Sequence, residues 1–398
     1  MQGTAGRSST HDKKNGDFWE PSGAYPSLTD NEKKLGWENA MCIEAKAMNL
    51  GNSLLVPCVQ ELAKESLTAI PPRYIRTDQE QAVVYDTGSV PEIPEINMQS
   101  LLSDGLMEAE TELAKLHSAC REWGFFQLVN HGVSSSLLEK IKREVQDFFN
   151  LPMEEKKKYW QYPGELEGFG QAFVFSEEQK LDWADLFTIF TQPERFRKPH
   201  LFPKLPPPFR ESLELYSLEL KNLAMAIFKK LEKALDMETG EMEEFFGESF
   251  QAMRINYYPP CPQPDKVIGL TPHSDSTGLT ILLQVNEVEG LQIKKDGKWI
   301  PVKPLPNAFI INVGDILEII TNGAYRSIEH RATVNSEVER FSIATFNNAK
   351  YDGEIGPARS LVSQQKPPLF KRVSTEEFFK GMFASKLNEK SYLDTLRL

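Results

Sequence analysis

The chain has 398 residues, 40% of them hydrophobic and 26% charged, enough for a sizeable core in one large domain or two. A net charge of −12 argues against a nucleic-acid partner, and the short run Lys156-Lys157-Lys158 follows Glu154-Glu155 as a solvated helix end would. No run reaches the roughly 18 apolar residues that span a bilayer, the N-terminus has no signal-peptide core, and four scattered cysteines (Cys42, Cys58, Cys120, Cys261) form neither a disulfide framework nor a zinc pattern; a cytoplasmic location is the expectation.

Residues 1–40 are polar and are read as a disordered extension. Residues 41–90 hold a short amphipathic helix over 59–67, ended by Pro71-Pro72, and a linker over 74–90. An α/β region covers 91–205. It opens on a short strand at 92–96. Leu106, Ala109, Leu113, Leu116, Cys120 and Trp123 then recur at helical spacing, and a strand at 125–129 stops at Asn130-His131-Gly132. Ser136 and Glu139 have capping-box spacing ahead of Leu138, Ile141, Val145 and Phe148. After a proline-rich break at 203–208, a helical connection over 206–248 runs through Leu218, Leu223, Ile227, Leu231 and Leu235.

The texture changes over 249–350. Short β-rich runs at 254–258, 279–285, 291–294, 308–313, 330–334 and 341–346 are split by Gly, Pro, Asn and Asp, which predicts a sandwich or barrel. Residues 351–398 turn helical again after Thr375.

The chemistry gathers in this β-rich part. His273 and Asp275 are two apart, so an extended backbone points both the same way, and His330 opens a later strand. Two imidazoles and one carboxylate are the ligand set of non-haem iron(II) oxygenases, which leaves one face of the metal open. An isolated His-x-Asp is a common tripeptide; the case rests on its company. Arg340 and Ser342 share a strand face and suit a carboxylate, the guanidinium through two parallel hydrogen bonds. Asn256 and Tyr258 share another face, with Tyr257 opposite. Read alone, each of these also fits an ordinary strand residue. Cys261 reads as a packed thiol. His11 lies in the extension, His117 reads as solvated, His131 as a turn residue, and His200 follows a proline; none pairs with a second candidate ligand.

With these residues in hand, the chain resembles the plant 2-oxoglutarate- and iron(II)-dependent dioxygenases, most of all the senescence-related group that includes alkaloid O-demethylases. The stretches that carry the resemblance are 123–133 (WGFFQLVNHGV), 181–185 (LDWAD), 253–264 (MRINYYPPCPQP), 269–279 (GLTPHSDSTGL), 288–293 (VEGLQI), 305–322 (LPNAFIINVGDILEIITN), 326–332 (RSIEHRA) and 339–346 (ERFSIATF). The resemblance runs from about residue 41 to the end; residues 1–40 have no counterpart in it. It implies a mainly β fold, a double-stranded β-helix (jelly roll) with flanking helices and an N-terminal α/β section. It implies His273, Asp275 and His330 as iron ligands, Asn256, Tyr258, Arg340 and Ser342 as 2-oxoglutarate contacts, and Arg254, Phe346, Asn348, Phe173 and Phe175 as substrate-pocket positions. The cosubstrates would be 2-oxoglutarate and O2, with ascorbate supporting activity, and the products an oxidised small molecule, succinate and CO2. A monomer without membrane or nucleic-acid partners is expected. A departure from the family is Glu95, where the first strand commonly has an apolar residue.

Three rival readings have discriminators. A same-fold oxidase that does not use 2-oxoglutarate would release no succinate. A non-catalytic small-molecule binding protein would not need an intact triad beside its clamp. A zinc hydrolase could use the same two His and one Asp, but would leave Arg340 and Ser342 without a role.

Overall fold

The computed structural model describes residues 54, 56–65, 69–76, 91–103, 105–162, 165–171, 174, 176–385 and 391–398. The extension at 1–40, most of the linker at 74–90, and Phe173 and Phe175 lie outside the described residues.

Two sheets carry the fold. The larger has eight strands in the order β1 (Glu95–Asn97), β2 (Phe125–Val129), β10 (Phe309–Val313), β7 (Leu279–Gln284), β12 (Arg340–Asn347), β5 (Gln251–Tyr258), β4 (Asp185–Gln192) and β3 (Gly168–Gly170). The smaller has the order β6 (Leu270–His273), β11 (His330–Ala332), β8 (Leu291–Lys295) and β9 (Lys298–Pro301). Apart from the parallel β1–β2 edge, the pairings in both sheets are antiparallel. This is the expected jelly-roll core with an α/β section at one edge. Glu95 stands exposed on edge strand β1, so the departure from the family costs no buried charge.

The large sheet is covered on both faces, and strand alternation sorts its residues. Met253, Ile255, Tyr257, Phe341 and Ile343 join the main core with Phe148 and Phe187. Arg254, Asn256, Tyr258, Arg340 and Ser342, the residues between, line a cavity on the other side. Helices seal the core face. The longest, α6 (Pro207–Ala234), follows α1 (Val59–Lys64), α2 (Met98–Leu101), α3 (Leu106–Glu122), α4 (Ser135–Asn150) and α5 (Met153–Lys156), and the short α7 (Glu241–Phe246) comes after it. Helix α6 buries Phe209, Leu213, Tyr216, Leu220, Leu223, Ile227 and Leu231 at helical spacing, each such side chain contributing about 1.5–3 kcal/mol of burial. Leu218, expected on this stripe, is instead 49% exposed, because Tyr216 and Leu220 on either side take the buried face.

Other expectations shift as well. The capping box at Ser136 and Glu139 does not form. Helix α4 starts two residues earlier with Ser134 as N-cap, the Ser134 and Ser136 hydroxyls bond each other, and Glu139 pairs with Lys142. A capping box does close at Ser374 and Glu377, ahead of α9 (Thr375–Ala384), whose helical character was expected. The first helix stops at Lys64, well before Pro71-Pro72. Strand β4 and helix α8 (Asp315–Ile320) had no sequence assignment: short apolar runs carry no period that separates strand from buried helix.

Residues 74–76, read as the start of a linker, belong to the packed body. Tyr74 is buried edge-on against Trp183, and Arg76 donates to Thr271 Oγ1 at 2.8 Å. Asp185 ties down α1 from the far side of the fold, accepting from Val59 N at 2.9 Å and Gln60 N at 2.7 Å. Those are orphan donors of a helix whose own N-cap, Cys58, supplies no side-chain acceptor. Asp185→Ala therefore strands buried N–H groups at about 1–3 kcal/mol each. A melting temperature several degrees below wild type is expected by calorimetry; an unchanged melt would show that α1 is held by its apolar face alone.

Candidate active site

His273 ends β6, Asp275 lies in the following loop, and His330 begins β11 directly opposite His273. The register brings the two imidazoles to a centroid separation of 4.3 Å. Asp275 Oδ1 lies 3.5 Å from His273 Nε2 and 3.8 Å from His330 Nε2. The three ligand atoms fall within 4.8 Å of one another, a spacing that suits one metal ion.

Their hydrogen bonds favour the same use. Each histidine Nδ1 meets a backbone carbonyl, Thr271 O at 2.8 Å and Ile328 O at 3.1 Å. That fixes the proton on Nδ1 and leaves the Nε2 lone pair facing inward. Nε2 of His273 is buried without a hydrogen-bond partner, an orphaned acceptor that a metal would satisfy. Burial first, and then the adjacent His273, push His330 down to about 4, so it is neutral at pH 7 and its lone pair is available. Burial opposes ionisation of Asp275, but His330, His273 and the Asn312 amide outweigh it and hold the carboxyl well below its usual range. The donor set therefore fits a divalent metal of the iron(II) kind.

A second cluster faces the triad across the same cavity. Strands β5 and β12 pair so that Arg340 lies opposite Tyr258 and Ser342 opposite Asn256. The Arg340 guanidinium is 2% exposed, sits 5.1 Å from the Tyr258 ring centroid and donates to Gln284 Oε1 at 2.8 Å. Its Nε is buried without a partner, as is Oδ1 of Asn256. Asn256 Nδ2 donates to Ser342 Oγ at 3.1 Å. Burial pushes the Tyr258 phenol up, so it remains a donor at neutral pH. A buried cation with an unused N–H beside two hydroxyls is the chemistry of a carboxylate site.

Residues 249–349 match the 2OG-Fe(II) oxygenase superfamily, and residues 93–206 match the family described as non-haem dioxygenase in morphine synthesis, N-terminal. Protein SRG1 of Arabidopsis thaliana is 61% identical over 360 residues, 89% of this chain and 100% of that protein. The chain belongs to the 2-oxoglutarate- and iron(II)-dependent dioxygenases. Codeine O-demethylase of Papaver somniferum is 55% identical, covering 88% of this chain and 98% of the relative. Oxoglutarate-dependent flavonoid 7-O-demethylase 1 of Ocimum basilicum is 54% identical, covering 89% and 94%. Among solved structures, JOX2 in complex with 2OG, Fe and JA superposes with a TM-score of 0.78 at 35% identity, over 87% of this chain and 99% of that one. As a member of this dioxygenase family, the chain is an enzyme that uses iron(II) and 2-oxoglutarate.

Within the dioxygenase cavity, Arg254 and Phe346 stack at 5.4 Å, and Arg254 Nε is buried without a partner. Asn348 is turned toward the backbone instead; its amide meets Phe250 O and Phe346 O at 3.4 and 3.5 Å. Among the described residues, the remaining histidines, His117, His131 and His200, are held by other side chains or the backbone. His131 bonds Asn307 O, as its turn position suggests. His117, expected in solvent, meets the Tyr325 hydroxyl at 3.1 Å. His200, expected unpaired, lies 3.3 Å from Glu165 and stacks on Tyr162. Cys261 is fully buried and burial raises its pKa, as a packed thiol requires.

Several residues that shape the site had no sequence assignment. Gln284 orients Arg340, and Thr280 and Asn312 both bond Asp275. Asp182 holds the amide and hydroxyl of Thr271, whose carbonyl receives His273. The available signals were the LDWAD stretch, which contains Asp182 and Asp185, and the 305–322 stretch, which contains Asn312. Gly314 lets α8 approach this loop: a Cβ there would meet Thr277 O at 2.1 Å.

Proposed function

We propose that this dioxygenase oxidises a small plant specialised metabolite, by hydroxylation, O-demethylation or desaturation, and releases succinate and CO2. The observation that carries the reading is one cavity lined by Asp275 and His330, with His273 beside them, and by Arg340, Ser342, Asn256 and Tyr258. His273, Asp275 and His330 hold the iron. Arg340 and Ser342 hold the far carboxylate of 2-oxoglutarate, with Asn256 and Tyr258 beside them. Bound iron with 2-oxoglutarate supplies the activation of O2. The chain's own residues orient the cosubstrate, exclude water and position the target carbon. Arg254 and Phe346 face the substrate; Asn348 supports the backbone that carries Phe346. The demethylases among the relatives favour an O-methylated phenolic or alkaloid, since hydroxylating an O-methyl carbon gives a hemiacetal that collapses to formaldehyde. The chain works as a cytoplasmic monomer, supported by ascorbate; among the described residues no helix is long and apolar enough to cross a membrane.

The test is a mass-spectrometric screen of plant phenolics, alkaloids and hormones, with iron(II) and 2-oxoglutarate loaded anaerobically before O2 is admitted. An oxidised product with matching succinate is expected, and formaldehyde distinguishes demethylation. Product formed without succinate would overturn the reading. With a substrate in hand, Arg254→Ala is expected to raise its KM about tenfold to a hundredfold, the cost of a hydrogen bond to a charged group. The KM for 2-oxoglutarate should hold; a shift in that constant instead would move Arg254 into the cosubstrate site.

A further inference from the structure

Asp275 uses its two oxygens differently. Oδ1 faces both imidazoles, while Oδ2 accepts from Thr280 Oγ1 at 2.7 Å and from Asn312 Nδ2 at 2.8 Å. The donors come from neighbouring strands. In the β7–β10 register Asn312 lies directly opposite Thr280, so the sheet itself aims both at one point. Each is 3% exposed. The Thr280 hydroxyl also meets Thr277 Oγ1 at 3.2 Å, a source for the hydrogen bond that Thr280 can accept while donating to Asp275. The backbone of the carboxylate is fixed as well, since Asp315 N donates to Asp275 O at 2.7 Å.

We infer that Thr280 and Asn312 are positioning residues that reserve Oδ2 of Asp275 and present Oδ1 alone to the iron. The inference rests on the assignment of His273, Asp275 and His330 as the iron ligands. A carboxylate with both oxygens free can take a metal through one or both, and a second bond would occupy a position that 2-oxoglutarate or O2 needs. Two hydrogen bonds to Oδ2 oppose that swing. Both donors are neutral, so they orient the carboxylate without cancelling the charge that attracts the metal. An arginine in the same place would orient it too, but would compete for its charge.

The test uses the full chain with Co(II), which replaces iron(II) without reacting with O2. Thr280→Val keeps the shape of the side chain and removes the donor; Thr280→Ser keeps the donor. Thr280→Val and Asn312→Ala are expected to weaken Co(II) binding about tenfold to a hundredfold, and to change its visible ligand-field spectrum. Thr280→Ser should keep the wild-type spectrum and affinity. Should Asn312→Ala fail to fold, the two Thr280 variants decide alone. Wild-type affinity and spectrum in Thr280→Val would overturn the inference, and so would a loss in Thr280→Ser as large as in Thr280→Val. His330→Ala is the control for the underlying assignment. If His330→Ala also keeps Co(II), the triad is not the metal site; if it loses Co(II) while Thr280→Val does not, only the positioning role fails.

Discussion

His273→Ala, Asp275→Ala and His330→Ala are each expected to abolish turnover while the chain stays folded. The reason is a shortage of donors. Among the described residues these three form the one group of His, Cys, Asp or Glu placed to share a metal ion, so no neighbour can replace a missing ligand. Loss of one leaves two protein ligands and a metal that exchanges freely. The fold is expected to survive, because Asp275 and His330 line the cavity with His273 beside them, and none of the three belongs to the main hydrophobic core. The Asp275 variant carries an added cost, as Thr280 and Asn312 lose their acceptor at about 1–3 kcal/mol. His330→Ala loses the edge-on contact with Phe125 at 5.3 Å and leaves a small void. Metal content after dialysis, far-ultraviolet circular dichroism and succinate production separate the outcomes. Folded variants without metal or succinate are expected. Near-wild-type turnover in any of them would remove that residue from the iron site.

The candidate clamp pairs were legible in the sequence because strand alternation is a local rule. Arg340 and Ser342, and Asn256 and Tyr258, are each two apart on one strand, and period two puts each pair on one face whichever strands lie alongside; Asp275 comes to His273 through the loop after β6 instead. What the sequence does not contain is register. That Arg340 stands opposite Tyr258, and Asn312 opposite Thr280, depends on which strands pair and with what offset. Asn312 lies in the 305–322 stretch that carries the resemblance, but nothing local marks it as a partner of Asp275; Thr280 sits in an apolar run and Gln284 is one polar residue at the end of a strand. All three gain a role through a partner distant in the chain or on another strand. The helical misreadings have a similar cause. Leu218 is apolar but stands two residues from both Tyr216 and Leu220, so on the helix it falls away from the stripe they share and stays exposed. Ser136 and Glu139 have the spacing of a capping box, yet the helix takes Ser134 as its N-cap, two residues before Ser136.

Arg340→Ala is expected to raise the 2-oxoglutarate requirement about a hundredfold or more while metal binding is retained. A dicarboxylate that binds iron at one end must bury the other, and a buried anion is tolerated only beside a cation with hydrogen bonds to it. Arg340 meets that need. It is 2% exposed, its Nε has no partner within the protein, and Ser342 and Tyr258 supply hydroxyls around it. Gln284 accepts from one terminal nitrogen and holds the guanidinium plane. Removing one member of a buried charge pair costs about 3–5 kcal/mol, which is roughly two to four decades in affinity. Arg340→Lys should recover little, because a flexible ammonium neither reproduces the two parallel hydrogen bonds nor reaches Gln284 in the same plane. Gln284→Leu should fall between Arg340→Ala and wild type, since it frees the guanidinium without removing its charge. Calorimetric titration of 2-oxoglutarate into the anaerobic iron(II) protein measures all three, with succinate counted per oxidised substrate. If Arg340→Ala binds 2-oxoglutarate as tightly as wild type, the clamp lies elsewhere in the cavity. If Arg340→Ala loses metal together with 2-oxoglutarate, Arg340 acts by holding the sheets together, and its charge is not what the cosubstrate uses.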